Sequence, residues 1–189
     1  MIFLKELEVK ILNIHLGNIR NKVKTLNCKN VKKENQINKI FDFKNNTLLQ
    51  KQGYARIRIV EDLILNSNRY YMTVKKLLSE NTFKIMDEHE IEISNFQEGE
   101  NIFKALGLEM TQCIKKYRES YKYKNSLIEI DINDKSFCPF PYIEIESPNE
   151  EELEEIVHLL GYSIKDTTSK NIYELIELFK NGKESLNHY

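Results

Sequence analysis

The sequence predicts an α+β fold: an antiparallel β-barrel with a charged inner face and helices packed around its outside. Three observations lead there. Charged and apolar residues alternate with a period of two in stretch after stretch. The charges on the polar side are sorted strand by strand into pairs of like sign. Between these stretches lie segments whose apolar residues recur at helical spacing.

The alternation is plain in Glu6-Leu7-Glu8-Val9-Lys10-Ile11, Ala55-Arg56-Ile57-Arg58-Ile59 and Met72-Thr73-Val74-Lys75. It returns in Glu90-Ile91-Glu92-Ile93, Ile128-Glu129-Ile130-Asp131-Ile132 and Ile143-Glu144-Ile145-Glu146, and more briefly in Lys116-Tyr117-Arg118. A period of two puts successive side chains on opposite faces of a strand, and the β-branched content favours strands over helices. One such strand alone reads as half-buried, with its polar face in water. The set reads differently, because Glu6/Glu8, Glu90/Glu92, Glu129/Asp131 and Glu144/Glu146 are acidic pairs while Arg56/Arg58 and Lys116/Arg118 are basic ones. Like charges on neighbouring same-face positions repel unless an opposite charge sits between them. Metal ions would serve the carboxylates, and an anion would serve the Arg/Lys set.

Helices are expected where apolar residues share one helical face. Asn18 to Leu26 offers Ile19, Val23 and Leu26, and Phe96 to Leu106 offers Ile102, Phe103 and Leu106. Ser147-Pro148-Asn149-Glu150 reads as a capping box with proline at the first helical position. It opens a helix carrying Leu153, Ile156, Val157 and Leu160 and ending at Gly161. Asn171 to Lys180 is a last amphipathic helix. The Lys/Asn-rich stretch from Lys22 to Lys39 reads as a helix end and a solvated loop. With no linker signal in 189 residues, one domain spanning 1–189 is expected.

Composition narrows the function. Lys+Arg total 28 and Asp+Glu 29, so no bulk attraction draws the chain to nucleic acid or an acidic membrane. Cys28, Cys113 and Cys138 are far apart and form no CxxC pair, which argues against a disulfide framework or a zinc site. The opening residues are too charged for a signal peptide, and no apolar run is long enough to span a bilayer, so a cytoplasmic protein is expected. No P-loop, GxGxxG or Ser/His/Asp constellation is present.

The sorted charges suit a triphosphate with divalent metal. Such a ligand carries about four negative charges and needs several cations on a rigid frame. Arg56 and Arg58 offer planar forks; Lys10, Lys75, Lys116 and Arg118 add further donors, with Lys10, Lys75 and Arg118 the candidates for catalytic contact. Mg²⁺ or Mn²⁺ prefers carboxylate oxygen, for which Glu6, Glu8, Glu144 and Glu146 are the natural ligands and Glu129 and Asp131 the reserves. Glu90, Glu92 and, where it is not called on as a reserve ligand, Glu129 are expected to be supporting carboxylates of the inner face.

These residues resemble the CYTH superfamily, the triphosphate tunnel metalloenzymes. Glu6-Leu7-Glu8-Val9-Lys10 is similar to its ExExK signature. The likeness continues through Phe41-Asp42-Phe43, Arg56/Arg58, Thr73/Lys75, Glu90/Glu92, Lys116-Tyr117-Arg118, Glu129/Asp131 and Pro141-Tyr142-Ile143-Glu144-Ile145-Glu146. The resemblance implies an eight-stranded antiparallel tunnel. It implies metal at Glu6, Glu8, Glu144 and Glu146, with Asp131, and triphosphate at Lys10, Arg56, Arg58, Lys75, Lys116 and Arg118. Cys138-Pro139-Phe140-Pro141-Tyr142 stands where the family often has a Gly-rich turn, which resembles the class IV adenylate cyclase-like branch. Hydrolysis of a small triphosphate, either tripolyphosphate or an organic one such as thiamine triphosphate, is the first expectation, since water needs no second pocket. Conversion of ATP to cyclic AMP and pyrophosphate is the second, removal of an RNA 5′-terminal phosphate the third, and a non-catalytic triphosphate- or polyphosphate-binding module the last. A monomer or homodimer is expected, with no membrane partner.

Overall fold

The computed structural model describes residues 7–12, 14–80 and 84–182. Among the described residues there are nine strands and five α-helices. They are β1 (Leu7–Ile11), α1 (Leu16–Thr25), β2 (Lys29–Phe43), α2 (Thr47–Gln50), β3 (Tyr54–Asp62), β4 (Ser67–Glu80) and β5 (Lys84–Ile93). There follow α3 (Phe96–Ala105), β6 (Leu108–Tyr123), β7 (Ser126–Asn133), β8 (Tyr142–Ser147), α4 (Glu150–Leu159), β9 (Thr167–Thr168) and α5 (Ile172–Lys180). The strands form one antiparallel sheet in the order β5-β4-β3-β2-β6-β7-β8-β1-β9. The α+β class and the antiparallel sheet are as expected; the ninth strand is the two-residue β9, which pairs with β1. No helix among the described residues is long and apolar enough to cross a membrane.

The contacts divide the chain into two compact units, one built from the chain up to Lys32 and from Arg118 onward, the other Lys33–Tyr117. In the first unit, β8 lies between β1 and β7. Glu8 stands opposite Glu146, Lys10 opposite Glu144, and Glu129 opposite Glu144. The intervening residues, Val9, Ile11, Ile128, Ile130, Ile143 and Ile145, are buried, as are Ile19 and Val23 of α1 and Leu153, Ile156 and Val157 of α4. Each such side chain contributes about 1.5–3 kcal/mol relative to exposure. This apolar side obliges the polar residues of the same strands onto the opposite face. A second apolar cluster of Leu12, Cys138, Phe140, Tyr142, Leu175 and Ile176 ties α5 to the start of β8 and the residue after β1.

In the second unit, β3 lies between β2 and β4, and β4 pairs with β5. One row runs Ile40, Arg56, Thr73, Glu90; the next runs Asn38, Arg58, Tyr71, Glu92. The opposite side carries Phe41, Ala55 and Ile57, packed with Phe103 and Leu108. The Phe41 and Phe103 rings meet at 5.3 Å between centroids. Helix α3 presses hard on this face: a Cβ at Gly99 would come within 2.7 Å of Ile93 Cδ1 and 2.9 Å of Ile57 Cδ1.

Two local expectations need correction. The stretch read as a solvated loop up to Lys39 is largely β2, which starts at Lys29. Its inner positions are polar, yet Glu34, Gln36 and Asn38 are buried. Gln36 donates to Glu34 at 2.7 Å, and Glu34 pairs with Arg69, so hydrogen bonds replace the apolar alternation that marks the other strands. Helix α4 is capped by Asn149, whose side chain accepts from the Glu152 amide, and Glu150 is its first residue. Ser147 is the last residue of β8, two positions before the cap, so it is not placed to form the expected capping box; its hydroxyl donates to the Asn149 carbonyl and accepts from Ser126. The cap of α1 is His15, whose ring nitrogen accepts from the Asn18 amide; α5 begins with a capping box between Asn171 and Glu174.

Candidate active site

The polar face of β1, β7 and β8 gathers carboxyls at close range. Glu129, Glu144 and Glu146 can each bring one carboxylate oxygen within 4.8 Å of the others. Glu8 joins them beside Glu144. Lys10 Nζ pairs with Glu144 Oε1 at 2.9 Å and with Glu8. Arg118, reaching in from β6, donates from Nε to Asp131 Oδ1 and from Nη2 to Asp131 Oδ2, both at 2.6 Å. The same Nη2 donates to Glu144 Oε2 at 2.9 Å, and Nη1 pairs with Glu129. Ser120 Oγ donates to Glu129 Oε1 at 2.7 Å, and Lys32 approaches that oxygen at 3.9 Å.

The electrostatics follow from crowding. Burial, then the neighbouring Glu129 and Glu144, push the Glu146 carboxyl up to about 8. Burial and Glu144 raise Glu8 to about 6 against the opposing pull of Lys10. Burial alone would lower the Lys10 ammonium, but Glu144 and Glu8 together hold it above the usual range. Arg118 is likewise opposed by burial and held charged, first by Asp131 and then by Glu129. Carboxyls crowded so closely that burial and their neighbours raise them suit a hard divalent cation, whose preferred donors are carboxylate oxygens. The residues present therefore fit Mg²⁺ or Mn²⁺.

The polar face of β3, β4 and β5 is the basic counterpart. Arg56 Nη2 lies 3.3 Å from Glu90 Oε2 and 3.7 Å from Glu88 Oε1. Arg58 Nη2 lies 3.5 Å from Glu90 Oε2, and Lys75 Nζ 2.9 Å from Glu88 Oε2. Thr73 Oγ1 donates to Glu90 Oε2 at 2.7 Å. Arg56 Nε is buried without a hydrogen-bond partner, a donor that an anion on this face would satisfy. A hollow of about 430 Å³ beside α3, lined by Glu92, Asn95, Glu98 and Ile102 among others, offers carboxylates and no cation, so it does not suit an anion.

The sequence-derived residues thus fall into these two groups. Glu8, Lys10, Arg118, Glu129, Asp131, Glu144 and Glu146 come together in the first unit; Arg56, Arg58, Lys75 and Glu90 come together in the second. Glu92 is exposed on β5 opposite Tyr71. Lys116 is half-buried two residues before Arg118 on β6. Glu6 lies outside the described residues. Two features escaped the sequence reading. Glu88 is a partner of both Arg56 and Lys75, and the alternation of Glu90 and Glu92 extends back to it. Glu129, placed among the supporting carboxylates, stands with Glu144 and Glu146, while Asp131, placed among the metal ligands, has both oxygens on Arg118.

Within each unit, neighbouring antiparallel strands thus present carboxyls and cations from alternate positions. The chain belongs to the CYTH domain family, whose profile matches residues 4–170. A search of curated protein sequences finds no match. Among solved structures, a Pyrococcus horikoshii protein (PH1012) is 25% identical with a TM-score of 0.72, covering 90% of this chain and 99% of its own. A Vibrio parahaemolyticus protein provisionally assigned as an adenylate cyclase is 18% identical with a TM-score of 0.72, covering 91% and 97%. The Hippeastrum protein HpAC1, described as having a dominant triphosphatase activity, is 18% identical with a TM-score of 0.69, covering 98% and 100%.

Proposed function

We propose that the protein is a divalent-metal-dependent enzyme that hydrolyses a small triphosphate. The observation that carries this reading is the convergence of Glu129, Glu144 and Glu146 on the same sheet face as Lys10 and Arg118. A pure anion binder gains nothing from carboxyls there, because they repel its ligand. Glu8, Glu144 and Glu146, with Glu129, would hold Mg²⁺ or Mn²⁺, and Glu6 belongs to the same proposed set. Bound there, the metal would neutralise phosphate charge and orient the phosphoryl group.

The chain's own residues supply the rest. Lys10 and Arg118 stay cationic because Glu8, Glu144 and Asp131 surround them, so they can hold phosphate oxygens at any neutral pH. Arg56, Arg58, Lys75 and Lys116 are the further phosphate-binding cations, with the unpartnered Arg56 Nε the donor best prepared for it. Glu88 and Glu90 orient Arg56, Arg58 and Lys75 before substrate arrives. Hydrolysis is preferred because no base-reading motif is present, and the activity described for HpAC1 is in line with it.

The test is incubation with Mg²⁺ or Mn²⁺ and, separately, tripolyphosphate, thiamine triphosphate and ATP, followed by ³¹P NMR. Orthophosphate release is expected. Pyrophosphate with cyclic AMP from ATP would replace hydrolysis by cyclisation, and metal-dependent binding without turnover would reduce the protein to a triphosphate-binding module.

A further inference from the structure

Among the acidic side chains of the first unit, Asp131 stands apart. It is fully buried (0% exposed). It is not one of the three carboxyls whose oxygens converge within 4.8 Å. Its strand neighbour on β8 is Tyr142, whereas Glu129 faces Glu144. Both of its oxygens accept from one guanidinium, through Arg118 Nε and Nη2 at 2.6 Å each. Two parallel charge-assisted hydrogen bonds to a planar fork fix the orientation of that fork as well as its charge.

We infer that Asp131 is a positioning residue that aims Arg118, and is not a metal ligand; this rests on the reading of Arg118 as a phosphate-binding cation. The arrangement of donors shows why. With Nε and one Nη2 hydrogen held by Asp131, Nη2 also donates to Glu144, and Nη1 lies in ion-pair contact with Glu129. Those two glutamates belong to the proposed metal-binding set. A divalent cation on their oxygens would compete with Arg118 for them and release its outer N–H groups toward a phosphate. The grip of Asp131 would be untouched, so the guanidinium would change partners without changing place. Were Asp131 a ligand, metal would instead strip Arg118 of its anchor.

The experiment pairs Asp131→Asn with Arg118→Gln and their combination. Mn²⁺ binding is followed by electron paramagnetic resonance, and tripolyphosphate affinity, read with a non-hydrolysable imido analogue, by calorimetry at saturating Mn²⁺. The Asp131→Asn variant is expected to keep its Mn²⁺ affinity within about 3-fold and to lose about 10–100-fold in tripolyphosphate affinity, the usual cost of removing a residue that orients a functional group. In the Arg118→Gln background the same change should add nothing further, because Asp131 acts through Arg118. A fall of more than about 10-fold in Mn²⁺ affinity, or additive losses of tripolyphosphate affinity, would overturn the inference. Should Asp131→Asn not fold, the unmodified protein answers the question. The Arg118 Nε–H resonance in ¹⁵N NMR, assigned with Arg118→Gln, should persist and stay protected when Mg²⁺ saturates the site; its loss would show that Asp131 has left for the metal. If the unmodified protein binds Mn²⁺ but no tripolyphosphate, the triphosphate reading itself falls, and with it the role of Arg118.

Discussion

Thr73 Oγ1 donates to Glu90 Oε2 at 2.7 Å, and the same oxygen lies 3.3 Å from Arg56 Nη2. Thr73 is fully buried, so it acts as a fixed pin for a carboxylate that in turn orients two arginines. Thr73→Val keeps the shape and removes the donor. It is expected to cost about 1 kcal/mol of stability, the net worth of one such bond, and to weaken tripolyphosphate binding several-fold through the loosened Arg56. Urea denaturation and calorimetry measure the two effects.

Arg56 itself should matter more. Arg56→Ala removes the buried Nε and the planar fork together, and is expected to weaken triphosphate binding by about 1.5–3 kcal/mol, the range for a charge-assisted hydrogen bond. Unchanged affinity by calorimetry would take Arg56 out of the binding set.

Metal should stabilise the fold through its acidic ligands. At a Mn²⁺ concentration of about 100 times Kd the gain is about 2.7 kcal/mol, seen as a rise in Tm. In Glu144→Gln/Glu146→Gln that rise should vanish. A rise of equal size in this double variant would place the cation elsewhere.

The pH dependence has a definite sign. Glu146 is raised to about 8 and Glu8 to about 6 from an ordinary value of 4.5. Across that interval the folded protein binds more protons than the unfolded chain, so stability falls as pH rises. In EDTA, urea denaturation should therefore show stability declining from about pH 4.5 toward pH 8. Glu146→Gln should flatten the upper part of the decline, and saturating Mg²⁺ should reverse it. Asp62 and Glu88, whose carboxyls are lowered, act in the opposite sense, and their contribution is lost only on acidification. A metal-free protein equally stable at pH 5 and pH 8 would contradict the crowding of these carboxyls.

Much of this protein was legible in the residues themselves. Alternation in β3, β7 and β8 is a local steric property, since a strand sends successive side chains to opposite faces whatever lies beside it. Helices α1, α3, α4 and α5 declared themselves by apolar spacing for the same local reason. From these the sequence determined the α+β class, the charged face, and Lys10, Arg56, Arg58, Lys75, Arg118, Glu144 and Glu146 as the residues on it. Strand β2 was hidden because Glu34, Gln36 and Asn38 are buried polar residues, Gln36 and Glu34 joined by a hydrogen bond, a condition that hydrophobic period cannot report. Partnership was also beyond the sequence. That Asp131 meets Arg118, that Glu129 joins Glu144 and Glu146, and that Glu88 serves Lys75 depend on which residues stand opposite one another across strands. That register is set by the packing of the whole sheet, and a slip of one residue would turn every one of these side chains to the other face.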